Sequence, residues 1–171
     1  MKRMTLSLMA AFLLASSSAR ADHHEVFISS VVDLKSEVCA VELEIAATGQ
    51  NGFEGVDRIA VNGTTLASLG DSVAGLINSG GHTNTGDHIL FASSSFQMET
   101  GLFPDVIFAD GKCGDFSANA VFTFVIDDLA FGGANTIIDT LTADPSFGVN
   151  LTAMTKADKS AAPLFVDLNS R

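Results

Sequence analysis

The tripeptide Asp22-His23-His24 carries the most specific chemistry in this 171-residue chain, provided that the chain is cut after Ala21. The new α-amine, two backbone amides and the imidazole of the third residue, His24, would then offer four nitrogens in one plane. That is the arrangement Cu(II) and Ni(II) favour. A copper brace of the oxygenase type needs histidine as the first residue, and here the first residue would be Asp22. The plainer reading of the motif is an exposed, solvated terminus.

Asp110, Asp115, Asp127, Asp128, Asp139 and Asp144 stand in or beside Gly-containing turns. Calcium takes about six to eight oxygens, often from aspartates on the loops of extracellular domains. No Asp-x-Asp-x-Asp-Gly loop is present, so solvated turn acids are the alternative. Gly70-Asp71-Ser72 superficially suggests a hydrolase serine, but a nucleophile elbow needs Gly at position 74, and Ala74 stands there. Neither His82 nor His88 has an Asp-x-x-His setting that would orient it as a base. Ser72 reads more simply as the cap of a short helix.

Glu42 and Glu44 lie two residues apart on one strand face. Paired carboxylates about 5 to 9 Å apart across a cleft can hydrolyse glycosides. Such clefts usually also carry aromatic platforms, and the chain has no Trp and no Tyr. A solvated strand face is the expectation for this pair. Phe103, Phe131 and Phe147 adjoin Gly or Pro; each either anchors a loop or, if exposed, marks a protein-binding patch.

The segments that position these residues begin with an address label. Lys2 and Arg3 precede an apolar run, Thr5 to Ala15, and small residues lead to Ala19-Arg20-Ala21. This is the grammar of a secretory signal peptide, residues 1–21, cleaved after Ala21. The run is too short to span roughly 30 Å of hydrocarbon, and no later stretch is long enough. Residues 22–171 are expected to be one exported domain, extracellular or periplasmic. In such an oxidising compartment Cys39 and Cys113, the only cysteines, pair as a disulfide.

Val38 to Ala47 alternates strictly: Cys39, Val41, Leu43 and Ile45 on one face, Glu42 and Glu44 on the other. That is an antiparallel strand covering a core on one side, with Cys39 pointing inward toward a second sheet. Val26 to Val32, His88 to Ala92, Val106 to Ala109, Val121 to Ile126 and Thr136 to Leu141 read as further strands. Phe122 and Phe124 fall on the core face of theirs. Arg58 to Val61 and Thr64 to Leu69 flank Asn62-Gly63, a type I′ hairpin signal. Ser94 and Gln97 have capping-box spacing for a helical turn that exits through Gly101, and Asp71 to Asn78 is a second candidate. Residues 153–171 are expected to be a mobile tail. Within it Leu164 to Leu168 either docks as an edge strand or completes the sheet of another subunit.

Glu25-Val26-Phe27-Ile28-Ser29-Ser30-Val31, Val41-Glu42-Leu43-Glu44-Ile45 and Ile137-Ile138-Asp139-Thr140-Leu141 resemble successive strands of secreted bacterial lamin-tail-like domains. His88 to Phe96 is similar to a middle strand of that family followed by a helical turn. Ser30 replaces the usual Glu, and Ala46-Ala47 replace an Asn-containing turn. The resemblance implies an immunoglobulin-type sandwich acting as a non-catalytic surface or interaction module.

The charge balance narrows the partners. Twenty acidic residues against nine Lys and Arg give a formal net charge of −11, and loss of Lys2, Arg3 and Arg20 with the leader sharpens the excess. Nucleic acid and anionic bilayers are unsuited to such a surface. The expectation is an all-β, antiparallel two-sheet β-sandwich with one disulfide and one or two short helical turns. It would act as a non-enzymatic module that binds a protein or self-associates. A Cu- or Ca-binding protein is the alternative, and a secreted hydrolase a distant third.

Overall fold

The computed structural model describes residues 25–47, 57–69, 86–128 and 133–156. The leader, Asp22-His23-His24, Gly70-Asp71-Ser72, His82, the expected turn at Asp71–Asn78, Phe131 and Leu164–Leu168 lie outside these residues. The described elements are β1 (Glu25–Asp33), β2 (Cys39–Ala47), β3 (Asp57–Val61), β4 (Thr64–Leu69) and β5 (His88–Ser93). There follow α1 (Phe96–Thr100), β6 (Val106–Phe108), a 3-10 turn (Asp110–Asp115), β7 (Val121–Asp128), β8 (Gly133–Thr142) and β9 (Ala153–Thr155).

Two sheets result, one ordered β6-β5-β2-β1-β9 and the other β4-β3-β7-β8. The main core lies between them. β2 contributes Cys39, Val41, Leu43 and Ile45, and the facing sheet contributes Ile59, Phe122 and Phe124. Phe122 takes edge contacts from Phe116 and Phe147, at ring separations of 4.9 and 6.2 Å. Phe147 is therefore a buried loop anchor. The Asn62-Gly63 hairpin forms as its residues demand, with φ of 51° and 81°. Among the described residues the ladders are antiparallel except β5–β6, which is parallel. α1 and its following loop supply the crossover that parallel neighbours require.

β1 solves a phase problem. Ile28 pairs with Leu43 and Ser30 with Glu42, leaving Ser29 as the extra residue of a bulge. Ile28 and Val31, three apart, consequently both enter the main core. Ser29 and Ser30 are both left buried beside Glu42, on the opposite face of the sheet.

That opposite face is the main departure from expectation. A second apolar cluster covers part of it, joining Val32, Ala40, Leu90 and Ala92 of the sheet to Phe96 of α1, with Leu102 packed alongside. Glu42 and Glu44, read as a solvated strand face, are buried. Alternation correctly separated them from the core residues but carried no information about what lies over them. The α1 cap differs too. Ser95 stands at its N-cap position without a side-chain cap. Asp110 supplies the acceptors instead, taking hydrogen bonds from the Ser95 N–H at 2.8 Å and the Ser94 and Ser95 hydroxyls at 2.8 and 2.7 Å. Gly101 adopts the expected left-handed exit.

The disulfide Cys39–Cys113 is formed, with Cα atoms 5.6 Å apart. It ties β2 to the 3-10 turn on the connection between the sheets, not to a strand of the second sheet. Just before it, Lys35, Ser36 and Glu37 are three consecutive non-glycine residues in the left-handed region. Each costs about 1–2 kcal/mol. The turn is closed by Leu34 N–H to Val38 O at 2.8 Å and Val38 N–H to Lys35 O at 3.0 Å, and Asp33 Oδ1 accepts from Lys35 N–H.

Residues 153–155, placed by sequence in the tail, instead form β9 against β1. Lys156 N–H continues the ladder to Ser29 O at 2.9 Å. Beyond that point Asp139 of β8 accepts from Ile28 N–H at 2.7 Å and pairs with the Lys156 ammonium. The opposite sheet thus occupies the position on β1 that a longer β9 would need.

Gly148 has φ +74°, and a Cβ placed there would lie 3.2 Å from Phe116 O and 3.3 Å from Asp33 Oδ2. Gly148→Ala should cost about 1–2 kcal/mol for the left-handed backbone, with that crowding in addition. The check is a fall in the urea midpoint with an unchanged slope.

Candidate functional site

The densest ionisable group among the described residues sits on the outer face of the five-stranded sheet. β2 presents Glu42 and Glu44, β5 places His88 opposite Glu44, and the β1 bulge brings two hydroxyls to one carboxylate. Ser30 Oγ donates to Glu42 Oε2 at 2.5 Å. Ser29 Oγ donates to the same oxygen and to the Glu42 carbonyl, each at 3.2 Å. His88 Nδ1 lies 3.0 Å from Glu42 Oε1. The ring nitrogen is not aimed along that line, so the contact is an ion pair by distance without a directed hydrogen bond. Glu44 Oε2 is buried with no hydrogen-bond partner.

Serine, histidine and glutamate together suggest acyl transfer, but the connectivity differs. In a triad the hydroxyl contacts the imidazole, which takes its proton. Here hydroxyls and imidazole all converge on the carboxylate, and among the described residues no hydroxyl meets the His88 ring. The two hydroxyls and the imidazole surround Glu42 and hold it in place. Sequence reasoning missed these serines as partners, although a Ser-Ser doublet inside an apolar strand is the signal a bulge leaves.

The Glu42 carboxylate raises the His88 pKa above its ordinary value; burial opposes this, while the charges of Glu42, Glu44 and Asp87 add to it. With the folded pKa above the unfolded one, the native state holds more protons in between, so stability falls there as pH rises. The pair's contribution is fully present below about pH 6.5, the ordinary histidine value, and is lost as pH climbs through the raised one. Urea titrations at pH 5.5 and 8.5 should show higher stability at the acidic end. His88→Gln should remove most of the difference.

The remaining sequence candidates are dispersed. Asp110 is bound by Ser95 and Ser94, and Asp144 by the hydroxyl and N–H of Ser146; these hydrogen bonds hold both carboxyls below their ordinary pKa. Asp139 serves Ile28 and Lys156, and Asp115 is exposed in the 3-10 turn. The side chains of Asp127 and Asp128 lie outside the described set. Among the described residues, no three His, Cys, Asp or Glu side chains are grouped so as to hold a metal ion. No helix among them is long and apolar enough to cross a membrane.

A second feature is apolar. Met98 is 84% exposed, Phe103 78% and Ile107 59%. All three lie on the ten-residue stretch that runs from α1 through its loop into β6. Phe96, at the start of α1, and Leu102 pack into the second cluster. Ile107 sits beside Ala92 on this face of the sheet.

No protein-family model, curated protein or solved structure matches the chain.

Proposed function

We propose that this chain is an exported, non-enzymatic β-sandwich module that binds a protein partner or contributes to a surface assembly. The observation that carries the reading is the exposed apolar strip Met98, Phe103 and Ile107. Exposed aromatic and methionine side chains of this kind are typical interface anchors. Export is supported by the leader grammar and by the Cys39–Cys113 bridge.

The strip acts through side chains and not through strand addition, because the sheet edges are blunted. β6 and β9 are three residues each. β4 is bulged at Leu66, and Lys112 Nζ donates to its Thr65 carbonyl at 3.1 Å. β8 is bulged at Ile138, and Lys156 Nζ reaches its Thr140 carbonyl at 3.3 Å. Short, bulged and lysine-capped edges resist pairing with other chains.

The test compares the full exported chain with Met98→Ser/Phe103→Ser by light scattering and by cross-linking on the producing cells. The expected result is a defined complex for the parent that the double variant loses at unchanged melting temperature. A parent that remains monomeric and cross-links to nothing overturns the reading.

A further inference from the structure

We infer that Asn62 is a site of spontaneous deamidation which the folded β3–β4 hairpin protects, so that conversion marks molecules whose hairpin has come away from β7. The site lies in the four-stranded sheet and does not depend on a binding role. Asn62 is followed by Gly63, and both are exposed. Asparagine before glycine is the pair in which this chemistry is least hindered, because no Cβ shields the following nitrogen. Even a Cβ built on Gly63 would meet nothing within 4 Å, so water reaches the turn. In the reaction the Gly63 nitrogen loses its proton and attacks Asn62 Cγ. The Cγ–Nδ2 bond breaks, ammonia leaves, and a succinimide ring closes. Water then opens the ring at either carbonyl, giving aspartate or, with the main chain routed through the side chain, isoaspartate. Nothing is oxidised or reduced, and water is the only co-reactant.

Ring closure requires the Asn62 side chain to fold back onto its own main chain. In the folded hairpin it is held elsewhere. Asn62 Oδ1 accepts from Val121 N–H at 2.9 Å, and Asn62 N–H donates to Val121 O at 2.8 Å. Two bonds to one residue thus fix both the side-chain amide and the backbone of Asn62. The turn adds a third constraint, since Val61 pairs with Thr64 across Asn62 and Gly63, whose φ angles are 51° and 81°. Attack has to wait for an opening that breaks both bonds to Val121, and such local openings cost less than global unfolding. The two products then differ. Aspartate keeps an oxygen for the Val121 N–H. Isoaspartate adds a main-chain carbon inside a two-residue turn, which the Val61–Thr64 register does not accommodate.

The full chain is incubated at mildly alkaline pH, in buffer and in concentrated urea, and conversion at residue 62 is followed by peptide mass spectrometry. All samples carry Asn51→Gln, which removes the other Asn-Gly pair of the sequence. Exchange of the Val121 amide proton is measured in the same buffer with rising sub-denaturing urea. Asn62 should convert in concentrated urea, and at least about tenfold more slowly when folded, the factor that an opening cost of about 1.4 kcal/mol supplies. Folded conversion and Val121 exchange should accelerate together. Conversion as fast in buffer as in concentrated urea overturns the protection, and no conversion in urea overturns the site. Val121 exchange that quickens while folded conversion stays constant overturns β7 as the lock. Asn62→Asp should keep the parent's melting temperature, whereas the isoaspartyl chain, refolded from urea, should melt lower. Equal melting of the two would overturn the harm ascribed to the longer turn.

Discussion

Cys39→Ala/Cys113→Ala should lose about 4.5 kcal/mol of stability, the chain-entropy value for a loop of this size. The bridge spans 74 residues of sequence and joins the central strand β2 to the connection that carries the chain from one sheet to the other. Without it, the unfolded chain regains the freedom to separate those two regions, and its free energy falls. A domain of ordinary stability holds only about 5–15 kcal/mol in total, so the variant should sit near its unfolding midpoint in mild urea. The native side also loses a clamp. The three left-handed residues Lys35, Ser36 and Glu37 end two positions before Cys39, and Cys113 Sγ lies 3.0 Å from Glu37 O. Released from that contact, the turn can relax toward ordinary backbone. Equilibrium urea unfolding of parent and variant, each with and without reductant, gives the measurement. A loss below about 1 kcal/mol would contradict the chain-entropy account.

Glu42→Ala should be nearly as damaging, costing about 3–5 kcal/mol, the usual penalty for removing one partner from a buried ionic group. Its carboxylate is the common acceptor for Ser29 and Ser30 and the counter-charge for His88. Truncation leaves the buried Ser30 hydroxyl and the His88 imidazole without this carboxylate, while Ser29 keeps the backbone carbonyl of residue 42. Glu42→Gln separates the two roles. It keeps an acceptor for the hydroxyls and should lose less, yet it removes the charge that raises the His88 pKa. The higher stability at pH 5.5 should then shrink along with the charge. Glu44→Gln provides the contrast. The Oε2 of Glu44 has no hydrogen-bond partner, so neutralising it should cost little or even stabilise. A Glu42→Ala variant as stable as Glu44→Gln would show that the convergence on Glu42 is incidental.

Much of the fold was legible because strands announce their faces. The alternation of Cys39, Val41, Leu43 and Ile45 with Glu42 and Glu44 separated core side from outer side in β2. Asn62-Gly63 specified a hairpin, because that pair alone there tolerates two positive φ angles in succession. Phe122 and Phe124 were placed in the core by spacing, and the two cysteines were paired by compartment and count. The left-handed turn at Lys35–Glu37 was not legible, because no Gly or Asn marks it; tertiary closure and the disulfide hold it against local preference. The parallel β5–β6 pair was equally hidden. Its crossover is a five-residue helix and a short loop; the helical turn was legible from Ser94, Gln97 and Gly101, but the direction of the strand that follows it was not.

The polar cluster shows where local pattern ends. Period determined that Glu42 and Glu44 share the face of β2 opposite its core residues, and strand pairing sets His88 beside them. Whether that face meets water depended on what packs over it, as Phe96 and Leu102 do in one cluster with Val32 of β1 and Ala40 of β2. The bulge at Ser29 then turned a neighbouring strand by one residue and delivered two hydroxyls to a single carboxylate. Side-chain alternation is a property of one strand's backbone and is written in that strand. Burial is a property of what packs on it, and only the assembled chain decides that.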